Sequence, residues 1–164
     1  MQGHTDLQSN FLQLLKIRCN DVKELKHWLS RKTNTYISHD IQNEILELLA
    51  NSVLRGIAND IRAGQCNFFS LVADEYTDIS NKEQLSVCFR WIDDDFVSHE
   101  DFVGFYHLPN TSAETIFLTL KDVMSRLQLS LQNCRGQCYD GANNMLGKKS
   151  GVAKRIQDEQ PKAH

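Results

Sequence analysis

Two stretches contain the carboxylates that could do chemistry in this sequence. FFSLVADEYTDIS, residues 68–80, runs from apolar residues into an acidic cluster that begins at Asp74, and QCYDGANNM, residues 137–145, places Asp140 before a Gly/Asn-rich turn. Two carboxylates from distant parts of a chain can jointly hold one divalent cation, and a third acidic group usually completes a two-metal site. Carboxylate oxygens suit Mg²⁺ or Mn²⁺, which also bind phosphate. The chemistry that these residues predict is phosphodiester hydrolysis or strand transfer.

A purely local role is the alternative for each of these residues. Asp74 can simply end a strand and Asp140 can open the Asp-Gly turn, because aspartate is favoured at both places for local hydrogen bonding. Glu75 and Asp78 stand close to Asp74 and could help to shape the same site, but the pattern favours a solvated acidic turn for both. From the pattern alone, the local role is the favoured interpretation of Asp74 and Asp140, and the metal site is the alternative that stays open.

The first 66 residues have the apolar spacing of helices. The pattern predicts two short helices, within residues 7–18 and 21–32. A long amphipathic helix then begins after an N-cap at Ser38 and ends at Gly64, a natural C-cap. This helical lead precedes the strand region.

From Phe68 onward the apolar period changes to that of strands. Three strands are predicted first: FFSLVAD, buried on both faces; QLSVCFRWI, which alternates apolar and polar residues; and FVGFYHL. An amphipathic helix follows behind a capping box of Thr111 and Glu114. The last two elements are a short strand, CRGQCY, and a final helix that begins near Ser150 and stops before Pro161.

The order β-β-β-α-β-α predicts the fold class. It indicates an α/β protein in which a helical N-terminal lead, residues 1–66, precedes a truncated RNase H-like mixed sheet, residues 67–164. In that layout the first and fourth strands lie side by side and parallel, because a helix connects them as a crossover. We therefore expect Asp74 and Asp140 to lie at neighbouring strand ends.

Composition narrows the class of protein further. The 164 residues, 41% of them hydrophobic and 24% charged, suffice for one ordinary globular domain. A net charge of -3 and a pI of about 6.0 lack the basic footprint typical of nucleic-acid binding. No apolar stretch approaches the ~18 residues of a membrane span, and the first residues are too polar for a signal peptide. We expect a soluble, intracellular chain with neither a membrane partner nor a small-molecule substrate.

The cysteines predict reduced thiols rather than a disulfide framework. There are five, an odd number, and they are widely scattered. Cys134 and Cys138 share one face of the predicted strand, but their spacing and the lack of a nearby pair of histidines favour buried thiols over a zinc site. This cysteine usage fits a nuclear or cytosolic setting.

The residues after Asp140 contain a local basic cluster. Its members could contact a DNA backbone, although a charged helix face beside Asp158 and Glu159 is the favoured interpretation. The cluster consists of Lys148, Lys149, Lys154 and Arg155. For Asn143 and Asn144, turn geometry is favoured over contact with phosphate.

Longer stretches resemble a known family. The stretches are FFSLVADEYTDISNKEQLSVCFRWID, FVGFYHLPNTSAETIFLTLKDVM, NCRGQCYDGANNMLGKKSGVAKRI and, upstream, YISHDIQNEILELLANSVLRGIANDIRAGQ. They resemble the helical lead and the start of the catalytic core of hAT-superfamily transposases and their domesticated vertebrate relatives, a group that includes zinc finger MYM-type and THAP-type proteins. The resemblance covers nearly the whole chain.

The resemblance assigns roles to the two aspartates. The family's first catalytic Asp begins a D-x-x-T-D pattern, which matches Asp74, and its second lies in a D-G-A-x-N-M pattern, which matches Asp140. It implies that both are catalytic residues and ligands of Mg²⁺ or Mn²⁺, with metal binding weak or absent in the isolated chain. In this family a further strand and the catalytic Glu follow the second Asp, and Glu159 lies too close to Asp140 to take that place. We expect a fragment whose fourth strand has an uncovered edge.

Three functional hypotheses follow from the resemblance. The favoured one is a nuclear fragment of an hAT transposase that ancestrally cleaved and transferred DNA strands but is not catalytic alone, with DNA as the partner of the full-length ancestor. The alternative is a domesticated nuclear module for protein interaction or transcriptional regulation, whose partners would be other nuclear proteins or a second copy of itself. The third is a nuclease completed by a carboxylate from another chain. A cytoplasmic location is the alternative to a nuclear one.

Overall fold

The computed structural model describes residues 10–31, 36–64 and 67–164. The chain divides into two compact units, Met1–Asn51 and Ser52–His164. The helices of the described residues are α1 (Asn10–Arg18), α2 (Lys23–Leu29), α3 (His39–Ala63), α4 (Ala113–Arg126), α5 (Asn143–Leu146) and α6 (Val152–Glu159), and the strands are β1 (Phe69–Thr77), β2 (Glu83–Ile92), β3 (Ser98–His107) and β4 (Cys134–Cys138). Among these residues no helix is both long and apolar enough to cross a membrane.

The helical lead forms as the apolar spacing predicts. The two short predicted helices are α1 and α2, and the long one is α3. The hydroxyl of Ser38 accepts a hydrogen bond from the backbone N–H of Ile41 at 3.4 Å, so Ser38 caps the start of α3. The helix ends at Ala63, one residue before the predicted Gly64.

The sheet has the predicted mixed topology. Its strand order is β3-β2-β1-β4. β1 pairs antiparallel with β2, and it pairs parallel with β4 from Phe69 opposite Cys134 to Val72 opposite Cys138. The α/β fold class, with a helical N-terminal part and a four-stranded mixed sheet, is therefore confirmed. Because β1 and β4 are parallel, the residues that follow Val72 and Cys138 lie at the same end of the sheet, where both strands have their carboxyl ends.

The core lies on one face of the sheet. Phe69, Leu71 and Ala73 of β1 are buried, whereas the alternate residues of that strand are half-buried or exposed. The buried side chains pack with apolar residues of α4, α6 and the end of α3 in one cluster. The prediction that β1 is buried on both faces was therefore wrong, because these helices cover one face only.

Two element boundaries differ from their predictions, and one short helix was not predicted. Ser112, not Thr111, caps α4, and its hydroxyl accepts from the backbone N–H of Thr115. The last helix begins after Gly151 and ends before Pro161. Residues expected to form only a turn include the short helix α5, which buries Met145. The first two differences are shifts of one or two residues, whereas α5 is an additional short helix between β4 and α6.

A β-bulge separates the two cysteines of β4. Phe69 lies opposite Cys134, but Ser70 lies opposite Gly136, so Arg135 is an extra residue in the ladder. Cys134 is buried and Cys138 is exposed. The prediction that both thiols share one buried face was wrong, because the bulge reverses the alternation between them. The four described cysteines are unbridged, and Cys66 lies outside the described residues.

The outer edge of β4 is partly covered. The backbone N–H of His164 donates to the carbonyl of Arg135 at 3.2 Å, and the backbone N–H of Gln137 donates to the carbonyl of His164 at 2.8 Å. The side-chain amide of Gln137 also donates to the carbonyl of Ala163 at 3.1 Å. The expectation of an uncovered edge was therefore wrong for this part of β4, because residues after α6 supply backbone partners.

Candidate functional site

Asp74 lies inside β1 rather than at its tip. It is two residues beyond Val72, the last residue of β1 that pairs with β4, while β1 itself continues along β2 as far as Thr77. Ser86 lies opposite Asp74, and its hydroxyl donates to the carbonyl of Asp74 at 3.0 Å. The Asp74 side chain is exposed. The backbone at Asp74 is therefore fixed by the ladder, while its carboxylate faces solvent.

Asp140 follows β4 by the same two residues. β4 ends at Cys138, and the exposed Asp140 carboxylate accepts a hydrogen bond from the backbone N–H of Ala142 at 3.2 Å. This bond between a side chain and the backbone two residues on is typical of an Asx-turn. The parallel pairing of β1 with β4 thus brings Asp74 and Asp140 to the same edge of the sheet, each two residues past the last β1–β4 pair.

Glu75 has a different role from the one that the sequence predicts. It is half-buried in β1, and one of its carboxylate oxygens accepts a hydrogen bond from the side-chain amide of Asn144 at 2.6 Å. The pKa of Glu75 is raised above its usual value, chiefly by burial and further by the nearby charges of Asp140, Glu83 and Asp74. The hydrogen bond from Asn144 acts in the opposite direction. The prediction of a solvated turn was therefore wrong for Glu75. The sequence feature that could have predicted the partial burial of Glu75 is its position two residues after Ala73, on the face of β1 that faces the core.

Asn144 connects three separate parts of the chain. Besides Glu75, its amide donates to the backbone carbonyl of Thr111 at 3.1 Å. The next residue, Met145, is fully buried and anchors α5 to the core. Asn144 therefore holds the segment after Asp140 against β1 and the start of α4, a role beyond the turn geometry that the sequence analysis favoured.

Asp78 has the turn role that the sequence analysis favoured. One of its carboxylate oxygens accepts hydrogen bonds from the backbone N–H and the hydroxyl of Ser80, at 2.8 and 2.7 Å, and from the backbone N–H of Lys82 at 3.0 Å. These bonds lower the pKa of Asp78 to about 2. Its carboxylate therefore stabilises the β1–β2 connection rather than the site around Asp74.

The carboxylates fit a divalent cation in chemistry but not as a complete set. Carboxylate oxygens are the ligands that Mg²⁺ and Mn²⁺ prefer. In the described part of the chain, however, no three or more His, Cys, Asp or Glu side chains are arranged so that they could hold a metal ion. Asp74 and Glu75 are neighbours in a strand, so their side chains point to opposite faces of the sheet. Glu75 therefore does not supply a third carboxylate beside Asp74 and Asp140. No catalytic step through a metal follows from this arrangement.

The basic residues after Asp140 occupy two different settings. Lys148 and Lys149 are exposed in the segment before α6. In α6, Lys154 forms an ion pair with Asp158, and the guanidinium of Arg155 donates to the carbonyl of Ser150 at 3.0 Å. Lys154 and Arg155 thus have partners in α6 or just before it, while the side chains of Lys148 and Lys149 are exposed. Their contact with DNA stays a prediction.

Comparison with known proteins places the chain in a family. Residues 3–151 match DUF4371, described as the ZMYM1/FAM200 RNase-like domain. Two proteins named "52 kDa repressor of the inhibitor of the protein kinase" are similar to it, one from Mus musculus, 31% identical over 160 residues, and one from Homo sapiens, 29% identical over 159 residues. Each alignment covers 94% of this chain but 20% of the relative, so the chain spans about a fifth of the length of these proteins. No solved structure matches it significantly. Because the matched residues make up most of the sequence, the chain belongs to the ZMYM1/FAM200 RNase-like domain family.

Proposed function

We propose that this chain is a transposase-derived module of a nuclear regulatory protein, and that it acts by binding other proteins rather than by cutting DNA. The observation that carries this proposal is the similarity, along 94% of the chain, to two proteins that are named as repressors. We infer that the RNase-like domain of such a protein is used for regulation, without cleavage of nucleic acid.

The origin of the module is part of the proposal. We infer descent from an hAT-superfamily transposase, because Asp74 and Asp140 begin stretches that resemble the D-x-x-T-D and D-G-A-x-N-M patterns of those enzymes. The parallel pairing of β1 with β4 supports this inference, since it brings both residues to one edge of the sheet. DNA as the partner of the ancestor and a nuclear location for this chain belong to the same proposal.

The carboxylates around Asp140 have partners within the protein. Hydrolysis by the two-metal route needs several carboxylates around the ions. Here Glu75 accepts from Asn144, and Asp140 accepts from the backbone of its own turn. Both bonds give the carboxylates a structural use that does not require a cation.

We propose that Asp74 and Asp140 bind Mg²⁺ or Mn²⁺ only weakly in this chain. A site with a dissociation constant of ~10 mM would add well under 0.1 kcal/mol of stability at ~1 mM Mn²⁺, because stabilisation follows RT ln(1 + [L]/Kd). We therefore expect 1 mM Mn²⁺ to raise the melting temperature by less than about 1 °C. A larger rise that Asp74→Asn or Asp140→Asn abolishes would show a strong shared site and contradict this expectation.

The regulatory function can be tested by tethering. The chain is fused to a heterologous DNA-binding domain, and expression of a reporter with matching binding sites is measured in cells. We expect reporter expression to fall, and to fall equally with the variant that carries both Asp74→Asn and Asp140→Asn, because the proposed function does not use these carboxylates as catalysts.

Two results would overturn the proposal. One is an unchanged reporter although the fusion is nuclear and the purified chain unfolds cooperatively, which shows that a folded module does not repress. The other is Mg²⁺- or Mn²⁺-dependent cleavage of DNA by the purified chain that the double variant lacks. Cleavage that persists in the double variant identifies a contaminating nuclease and leaves the reporter result to decide.

A further inference from the structure

A cavity lies near the amino end of β1, at the opposite end of that strand from Asp74. Its volume is about 590 Å³, within the ~300–1,000 Å³ of typical ligand sites. The lining comes from the start of β1, the end of β2, the β2–β3 connection and Arg135 of β4. All of these segments belong to the compact unit Ser52–His164. The cavity is thus built by the sheet together with the β2–β3 connection.

Exposed apolar side chains surround this cavity. Phe68 is 44% exposed, Ile92 is 59% exposed and Phe96 is 90% exposed, and all three are among its lining residues. Phe96 has a φ of +63°, a left-handed conformation that is rare for a bulky residue. Exposed aromatic residues gathered around one concavity are typical of a binding surface. The apolar part of a ligand could therefore pack against Phe68, Ile92 and Phe96.

Two guanidinium groups supply the positive charge of the lining. The bulge in β4 places the guanidinium of Arg135 over the ring of Phe68, 3.8 Å from its centroid. One terminal nitrogen of Arg135 donates to the carbonyls of Gln132 and Cys134 at 2.8 and 2.9 Å. The Nε of Arg90 donates to the hydroxyl of Ser98 at 3.4 Å. A guanidinium has five N–H donors, so both arginines retain donors for a carboxylate.

The lining also contains two aspartates, which lie on the β2–β3 connection. The carboxylate of Asp93 accepts from the backbone N–H groups of Asp95 and Val97 at 3.0 and 2.8 Å, and it bonds to His99 at 2.7 Å. These bonds, chiefly the one to His99, hold the pKa of Asp93 below its usual value. The Asp93 carboxylate thus stabilises the turn, and Asp94 lies on the same connection. The basic part of the lining is formed by the arginines on the strands.

We propose that this cavity binds a protein segment in which an aromatic or large aliphatic side chain is flanked by carboxylates. Aromatic residues and arginine are the residue types that carry most binding energy at protein interfaces. Arginine also pairs with carboxylates in a bidentate geometry, which gives direction as well as strength. The inference extends the proposed function, because it gives the protein-binding module a recognition site that does not involve Asp74 or Asp140.

The test uses three matched peptides and the ¹⁵N-labelled full chain. The peptides are acetyl-Glu-Phe-Glu-amide, acetyl-Gln-Phe-Gln-amide without the charges, and acetyl-Glu-Ala-Glu-amide without the ring. Binding is followed by NMR through the indole N–H of Trp91 and the backbone amides around Phe68, Phe96 and Arg135. We expect the first peptide to bind with a dissociation constant of about 1 mM, and each control peptide to bind at least about fivefold more weakly.

Variants locate the binding within the cavity. Arg90→Gln and Phe96→Ala change exposed side chains, and we expect each to weaken the first peptide about threefold or more. Arg126→Gln, which removes an exposed guanidinium that pairs with Asp122 in α4, is the matched control and should leave binding unchanged. Preserved amide spectra of the variants show that they are folded.

Three outcomes would overturn the proposal. The first is the absence of shifts in the cavity residues up to about 10 mM of the first peptide, well above the expected dissociation constant. The second is equal binding of the charged and neutral peptides. The third is tighter binding of a thymidine hexanucleotide than of the first peptide at the same amides, which would indicate a site for single-stranded nucleic acid. Because the measurement uses purified protein and peptides, its failure is independent of the reporter test of repression.

Discussion

At its amino end β1 begins in the core beside an aromatic partner, whereas its carboxyl end leaves the core with exposed and half-buried polar side chains. The ring of Phe69 is buried and meets that of Phe89 edge to face, with centroids 5.2 Å apart. At the other end, Glu75 is held by the amide of Asn144. Apolar packing thus holds the amino end of β1 in place, and a hydrogen bond from a distant segment holds its carboxyl end. The comparison teaches that one strand can be held at one end by buried apolar side chains and at the other by polar contacts with a distant segment.

The largest expected effect is at the amino end. Phe69→Ala should lower the free energy of unfolding by about 3–5 kcal/mol, because it leaves a cavity where a fully packed ring was. The neighbouring Phe68→Ala is the matched control, and it should cost less than about 1 kcal/mol because Phe68 is 44% exposed and mainly loses its contact with Arg135. Urea unfolding of both variants measures the difference. Equal losses of stability in the two variants would contradict this prediction, because they would show that Phe69 is no more important for core packing than the exposed Phe68.

A second substitution tests how closely β1 and β4 approach each other. A Cβ on Gly136 would lie 2.6 Å from the hydroxyl oxygen and 3.2 Å from the Cβ of Ser70, so Gly136→Ala should cost about 1–3 kcal/mol. Adding Ser70→Ala removes the hydroxyl and should restore part of that loss. A double-mutant cycle from urea unfolding gives the coupling. Independent effects of the two substitutions would mean that the close contact is not what limits position 136.

A third prediction concerns the polar end. Asn144→Ala removes the donor to Glu75 and to Thr111, and we expect a loss of about 1–2 kcal/mol in the free energy of unfolding. Asn143→Ala is the control, since the exposed side chain of Asn143 should contribute less than about 0.5 kcal/mol. Chemical denaturation of both variants provides the measurement. A loss as large as that of Phe69→Ala would contradict the view that the polar end contributes less than the core.

The smallest expected effect depends on pH. The folded-state pKa of Asp78 is lowered to about 2 from 3.8, so its carboxylate contributes stability above pH ~4 that disappears as the pH falls from about 4 to 2. The melting temperature of Asp78→Ala should therefore be lower than that of the wild type at pH 6, and the gap should narrow between pH 4 and 2. Ser80→Ala, which keeps the carboxylate and the backbone donors, should show a smaller gap. A gap that is constant with pH would indicate that the loss comes from turn geometry rather than from charge.

The sequence predicted the element order well because each element has a strong local signal. Apolar spacing located α3 and α4, and the β-β-β-α-β-α order predicted the parallel pairing of β1 with β4. The errors fall where contacts between distant segments decide. The donor to the Glu75 carboxylate is Asn144, which is 69 residues away in the chain. The bulge at Arg135, which separates the environments of two cysteines, depends on pairing with β1.

The candidate site divides in the same way. The positions of Asp74 and Asp140 could be read from their motifs, whereas the cavity between Phe68, Phe96 and Arg135 had no sequence signal. Its members come from three separate segments, residues 68–70, residues 90–98 and Arg135, and none has a recognisable spacing relative to the others.

The sequence by itself determined which segments form helices and strands, which strands are neighbours, and which two aspartates reach one edge of the sheet. These properties follow from hydrophobic period, turn chemistry and the handedness of crossovers, which act within short stretches or between consecutive elements. Only the tertiary structure decided that Glu75 is held by Asn144, that Arg135 lies over Phe68, and that residues after α6 cover part of the β4 edge. The physical reason is that burial, ladder register and side-chain pairing are set by atoms from segments far apart in the chain.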